Sequence, residues 1–240
     1  MSSADHETPD EAVGHSDDQG PGQLRADAER NRERIIAAAR CAFAAEGIEV
    51  SMSAVARAAG VGVATLFRRF PTREDLLDAV FADTMRGYVD AVETALADPD
   101  PWNGFVGYIR AVCSMQVANR GFADVLTMTF PAAAHLEEQR ALAYHGFLRL
   151  IEAAKATGKL RPDFADQDMP VLLMANAGVI TAAGNTAPDS SARLVAYMVQ
   201  AFTAPQPATL PPPPDPDALA WAMLGLGCNS PEEGAAASHL

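Results

Sequence analysis

An all-α fold is the prediction for this chain of 240 residues, and three observations carry it. Apolar residues recur at intervals of three and four rather than two, the chain is rich in Ala, and Pro, Gly, Ser, Thr and Asp collect at the breaks between the periodic stretches. Together they divide the chain into four parts. Residues 1–22 read as a disordered acidic tail, 23–73 as a small three-helix unit, 74–203 as a larger helical domain, and 204–240 as a Pro-rich, largely disordered tail.

The elements follow in order. The first helix is expected from about Asp27 to Ala45, burying Ile35, Ile36, Ala39 and Phe43 along one stripe, with Gly47 ending it. Ser51 or Ser53 caps a short second helix reaching Ala59, and Gly60 breaks it. A third helix runs from about Val63 to Phe70 and Pro71 stops it. Thr72 with Asp75 three residues on has the form of a capping box for a long helix to Ala97, with Leu76, Leu77, Val80, Phe81, Tyr88 and Val92 as its apolar positions. Asp100 and Pro101 start a fifth helix, Gly121 and Pro131 flank a short sixth, and Gly158 ends a longer seventh. Two more are expected from about Asp166 to Gly184 and from Ser190 to Phe202. Ala204 to Asp217 holds seven of the 17 prolines, which favours an extended segment, and Ala218 to Leu226 carries enough apolar surface for a short docked helix.

The formal net charge is −13, which taken whole opposes binding to a polyphosphate. Its distribution reverses the argument. Residues 1–24 contribute −6, residues 74–240 contribute −11, and residues 25–73 contribute +4 and contain half of all the basic residues. That stretch is the candidate polyanion surface. Acidic flanks are expected to suppress nonspecific polyanion binding. Cys41, Cys113 and Cys228 are far apart and form no C-x-x-C pair, so neither a disulfide framework nor a zinc site is indicated and a reducing cytoplasm is the expected compartment. The acidic start lacks the apolar core of a signal peptide, and the apolar run Met169 to Gly184 is shorter than the ~20 residues of a membrane span.

Two short helices joined by a tight glycine turn meet the mechanical requirement of a helix-turn-helix, whose first helix props the second into a major groove. Ala56 is small where the helices approach, Gly60 lies four residues on, and Val55, Ala59, Val61 and Leu66 point inward. The outer face then offers Val63, Ala64, Thr65, Phe67, Arg68 and Arg69. Either arginine could pair bidentately with guanine, and Val63, Ala64 or the Thr65 methyl could touch a thymine methyl. Phe67 either packs against its neighbours or meets the DNA sugar edge. Arg30, Arg32 and Arg34 either steer the helix start onto phosphate or form a solvated face.

The run Ser51-Met52-Ser53-Ala54-Val55-Ala56, then Ala59-Gly60-Val61, Thr65-Leu66-Phe67-Arg68-Arg69-Phe70 and Thr72-Arg73-Glu74-Asp75-Leu76-Leu77, resembles the N-terminal domain of the tetracycline-repressor (TetR) family over about residues 30 to 80. The resemblance implies a homodimeric, all-helical transcription factor that binds a pseudo-palindromic double-stranded operator and is released by a small molecule held in its C-terminal domain. By position, Ser51, Thr65, Phe67, Arg69 and Arg73 match places where the family usually has Thr, Thr, Tyr, His and Lys against DNA. Phe67 lacks the hydroxyl of Tyr, and Gly62 and Val63 replace the common Ser and Lys.

The C-terminal half shows no nucleophile elbow, P-loop, dinucleotide fingerprint or H-E-x-x-H spacing, so no enzyme, cofactor or metal is expected. His135 with Glu137 and Glu138 reads as an exposed helix turn. Phe105, Tyr108, Met115, Phe122, Tyr144, Phe147, Met174 and Asn176 are the candidate pocket residues for an apolar or amphipathic effector, with core packing as their alternative role. Gly104 and Gly107 within one helix suit either close helix packing or a cavity wall. In the last two helices Ala175, Gly178 and Ala182 let backbones approach while Leu194, Met198 and Phe202 supply apolar area; the resemblance makes these the dimer interface. Two other functions compete: a helical protein-interaction module with weakened DNA binding, and, behind it, a small-molecule enzyme.

Overall fold

The computed structural model describes residues 21–184, 186–205 and 208–223. Among them run ten helices and no strand: α1 Pro21–Glu46, α2 Met52–Ala58, α3 Val63–Arg69, α4 Arg73–Leu96, α5 Pro101–Ala118, α6 Arg120–Thr127, α7 Ala134–Ala156, α8 Asp168–Ala183, α9 Ser190–Phe202 and α10 Pro216–Met223. The acidic stretch 1–20 and residues 224–240 lie outside the described residues.

Local sequence chemistry sets most of the boundaries. Thr72 accepts from the Asp75 amide while the Asp75 carboxylate accepts from the Thr72 amide, the reciprocal box that starts α4. Asp100 accepts from the amides of Trp102 and Asn103 ahead of Pro101 in the first turn of α5. Asn119 ends α5 and caps α6 through the Phe122 amide. The first helix departs from expectation, beginning at Pro21 instead of Asp27. Proline suits a helix start because its missing N–H is one the helix would leave unpaired anyway.

The 24 residues of α4 span two neighbourhoods. Its start packs beside α1 with α2 and α3, forming the N-terminal head, and its remainder packs against α5 and α7. A row of aromatic rings makes the two neighbourhoods one core. Phe43 of α1 stacks on Phe81, Phe81 meets Phe122, Phe122 meets Tyr88, Tyr88 stacks on Tyr108, and Tyr108 leads through Phe147 and Phe105 to Phe164 and Phe202 of α9. Centroid separations along it run from 4.9 to 6.4 Å, the range in which ring pairs add to plain area burial.

The segment 204–240, expected to be largely disordered, is held at the body over its described part. Arg161 is 4% exposed; it holds Asp163 by two bonds and donates to the carbonyls of Ala201 and Ala208. The Leu210 amide donates to the same Asp163 carboxylate, and the paired guanidinium holds that carboxyl well below the usual range. Further on, the Thr129 amide donates to the Met223 carbonyl and Leu219 of α10 is buried. The prolines prevent a helix over 208–214 but not docking, because a buried arginine supplies the donors that an extended chain needs.

Candidate nucleic-acid interface

Ser51 is the cap of α2, its hydroxyl oxygen accepting from the Ala54 amide at 3.1 Å. The chain leaves α2 through Gly60 at φ +64, a left-handed conformation that a side chain would strain, and the Val61 amide closes the turn on the Ala56 carbonyl at 3.0 Å. Val55, Ala56, Ala59, Leu66 and Phe70 are all buried, so the angle between α2 and α3 is set by packing on both sides of the turn. Arg34 of α1 adds a clamp, donating to the carbonyls of Ala59 at 2.7 Å and Gly60 at 3.2 Å. It satisfies carbonyls that the end of α2 would otherwise leave open.

That assigns Arg34 to the scaffold instead of the solvated or phosphate-facing roles expected for it. Arg30 pairs with Asp27, and Arg32 lies near Glu29 and over the Phe70 ring. Arg73, expected at the DNA, is half-buried and donates to the Ile48 carbonyl. Its guanidinium thereby ties α4 to the turn before α2. The other predicted residues come together: Val63, Ala64, Phe67, Arg68 and Arg69 are exposed on α3, Thr65 is half-buried, and Ser51 is exposed at the start of α2. Phe67 leaves 44% of its surface open, which decides for the outer face over packing. Arg68 donates to the Thr65 hydroxyl at 3.0 Å, while Arg69 and the exposed Arg57 of α2 have no ion-pair partner among the described residues. Arg57, which periodicity did not single out, lies in a groove against Arg34, Ala38 and Cys41 of α1; its only signal in the sequence is a charge in the last turn of α2.

Comparison with known proteins matches both halves. The family model for bacterial regulatory proteins of the tetR family covers residues 35–80, and that for the C-terminal domain of SbtR-like transcriptional regulators covers residues 100–201. The TetR transcription regulatory protein from Mycobacterium vanbaalenii is 30% identical, over 75% of this chain and 99% of that one, with a TM-score of 0.45. This chain belongs to the TetR family. A TetR-family regulator from Thermus thermophilus, PfmR, is 20% identical over 70% of this chain and 97% of its own, with a TM-score of 0.53, and shares the fold. An HTH-type transcriptional regulator of Staphylococcus aureus is 43% identical over 54 residues, which are 22% of this chain and 29% of that relative. The likeness to that curated relative thus spans less than a third of its length.

In this TetR-family chain the candidate pocket residues fall in several different environments. Phe105, Tyr108, Phe122 and Phe147 are buried within the aromatic row, Met115 and Met174 are half-buried, and Tyr144 is exposed. The Tyr144 hydroxyl donates to Asp166 at 2.6 Å, and that bond, with some burial, pushes the phenol up to about 12. Asn176 is committed to the scaffold: its amide donates to Gln116 at 2.8 Å and its oxygen accepts from Ser191 at 2.7 Å, while Gln116 donates to the Leu173 carbonyl. This buried polar chain joins α5, α8 and α9 with each amide satisfied. Tyr108 is buried with no well-placed hydrogen-bond partner for its hydroxyl, and burial first, then the adjacent Tyr88, raises its phenol well above the ordinary value. It lines a groove of about 440 Å³ between α4 and α5 together with Gly104 and Gly107. Among the candidate interface residues, Ala175, Gly178 and Ala182 are exposed along α8 and Leu194 and Met198 are half-buried on α9. Phe202 is corrected to the interior, 4% exposed and edge-on to Phe164 at 4.9 Å. Val171 and Tyr197, 40% and 53% exposed, supply the apolar area it does not.

The head is fastened to the body at Asp124 of α6, whose carboxylate accepts from the buried Ile48 amide at 3.0 Å. Burial raises this carboxyl above its usual range, against the opposing pull of the Ile48 amide and Arg120. The folded state therefore binds the proton more tightly than the unfolded chain, so ionisation subtracts stability as pH rises through the raised value. Asp124→Asn, which keeps an acceptor, should gain on the parent as pH rises from about 4 to about 7 in urea melts. Asp124→Ala should lose about 1–3 kcal/mol, since the Ile48 N–H would be buried unpaired. A parent-like pH profile for the Asn variant would refute the assignment.

Proposed function

We propose that this TetR-family regulator is a repressor. It binds a pseudo-palindromic operator as a homodimer through α3, and a small apolar or amphipathic effector held by the C-terminal helices releases it. The observation that carries the reading is the division of α3 into a locked inner face and an open outer one, where Arg68 and Arg69 stand beside Phe67, Val63 and Ala64. The small-residue stripe Ala175, Gly178, Ala182 with Val171 and Tyr197 supports pairing through α8 and α9, which would set two α3 helices on half-sites about 34–36 Å or a multiple apart. The protein works in the cytoplasm by binding and not by turnover. Among the described residues no helix is long and apolar enough to cross a membrane, and no cluster of ligands could hold a metal ion.

A salt titration of binding to the DNA upstream of the chain's own gene tests the proposal. Affinity should fall with a log–log slope of about −0.9 for every phosphate neutralised, and the free protein should run at twice the 25.3 kDa chain mass. Binding that ignores salt, absence of DNA retention, or a monomer would overturn it.

A further inference from the structure

Between α5 and α9 lies a crevice of about 370 Å³ that none of the candidate pocket residues lines. Its walls are Cys113 and Val117 on one side and Ala192, Val195 and Ala196 on the other, with Arg110 and Ser114 at the edge. Past Val117, Pro188 and Ser191, which the two share, it continues into a second crevice of about 470 Å³ that reaches Arg120 and the end of α1 at Ala44 and Ala45. Among the described residues no Asp or Glu lines either, in a chain whose net charge is −13. Arg110 is exposed and has no ion-pair or hydrogen-bond partner there, whereas Arg120 has Asp124 beside it to take up its charge. Cys113, its thiol pushed by burial to about 12, is neutral and adds only apolar surface.

We infer that the α5–α9 crevice is a binding site for an amphipathic organic carboxylate, its head paired with Arg110 and its hydrocarbon tail between α5 and α9. The planar guanidinium matches a carboxylate in two parallel bonds, and an unpaired cation at the edge of an apolar slot supplies both halves of such recognition. From Arg110 to the end of α5 at Ala118 the helix rises about 12 Å, and the second crevice continues from there to Ala44 and Ala45, so the tail runs toward α1. The lining residues Ala192, Val195 and Ala196 occupy the face of α9 opposite Leu194, Tyr197 and Met198, so the crevice stays open in the proposed dimer. The inference rests on the effector reading above and gives that effector a chemical class and a place.

Octanoate, 1-octanol and octylamine are the probes, titrated calorimetrically into the full-length protein. Octanoate should bind better than the alcohol, and the amine worst. Arg110→Gln should weaken octanoate about tenfold or more and leave octanol unchanged. Ser114→Trp, a substitution at an exposed edge position, should block both while melting at the parent temperature. No octanoate binding, equal binding by Arg110→Gln, or full binding by Ser114→Trp would each overturn the site. Operator binding is measured in parallel. Octanoate that binds here without loosening the operator complex overturns the effector reading and leaves the site standing, whereas normal operator binding with no octanoate uptake overturns the site and leaves the DNA reading standing.

Discussion

Replacing Arg68 and Arg69 together by Ala should weaken operator binding about a thousandfold without unfolding the protein. A dimer would lose four arginines, and at about 1 kcal/mol apiece, the low end for a phosphate or base contact, the loss is about 4 kcal/mol. The substitutions touch nothing that holds α3 in place. Both side chains are exposed, and Arg68 makes its bond within α3 to Thr65, while Leu66 and Phe70, which set the helix on the scaffold, are unchanged. Removing positive charge from the last turn costs the helix a few tenths of a kcal/mol at most. Gel shifts against salt should show weaker binding and a shallower slope for the variant, with an unaltered melting curve and mass. Unchanged affinity would mean that α3 is not the reading helix.

Two glycines one turn apart in α5 should respond to alanine with opposite signs. A Cβ on Gly104 would stand 2.2 Å from the Ala95 carbonyl oxygen and 3.1 Å from its carbon, both backbone atoms of the facing helix. Neither can move without parting α4 from α5, so Gly104→Ala should cost about 2–3 kcal/mol and lower Tm by roughly 4–12 °C. A Cβ on Gly107 meets nothing within 4 Å. There alanine only lessens the entropy lost on folding and should stabilise by about 0.5–1 kcal/mol. Paired thermal and urea melts read both. Equal effects at the two positions would remove the close approach as the explanation of Gly104.

The same two residues mark how far the sequence could be read. Gly104 and Gly107 sit in one helix with one propensity penalty, and each suited a packed contact or a cavity wall equally well. Which one it is depends on Ala95, nine residues before Gly104 and across a corner. Short-range chemistry was legible because its partners are near in the chain: Thr72 and Asp75 box α4, Asp100 caps α5, and Gly60 turns between α2 and α3. The outer face of α3 was legible for a related reason. Helical periodicity alone places Ala64 and Arg68 on the side of α3 opposite buried Leu66, whereas Val63 shares the i, i+3, i+7 row of Leu66 and Phe70 and is shown to be exposed only by the fold.

Arginine and asparagine roles were not legible in this way, since a polar side chain belongs to whichever distant backbone lacks a partner. Arg34 closes on carbonyls 25 and 26 residues away, Arg73 on Ile48, and Asn176 on Gln116, 60 residues before it. Arg161 holds a carbonyl 47 residues on, and so docks a proline segment whose composition alone favours disorder. By itself the sequence determined the helical class, the element order, the turn between α2 and α3 and the concentration of positive charge in the head. The tertiary structure alone decided which arginines remain free for a ligand and which are consumed by the scaffold, because desolvated carbonyls and carboxylates claim a donor wherever the fold brings one within reach.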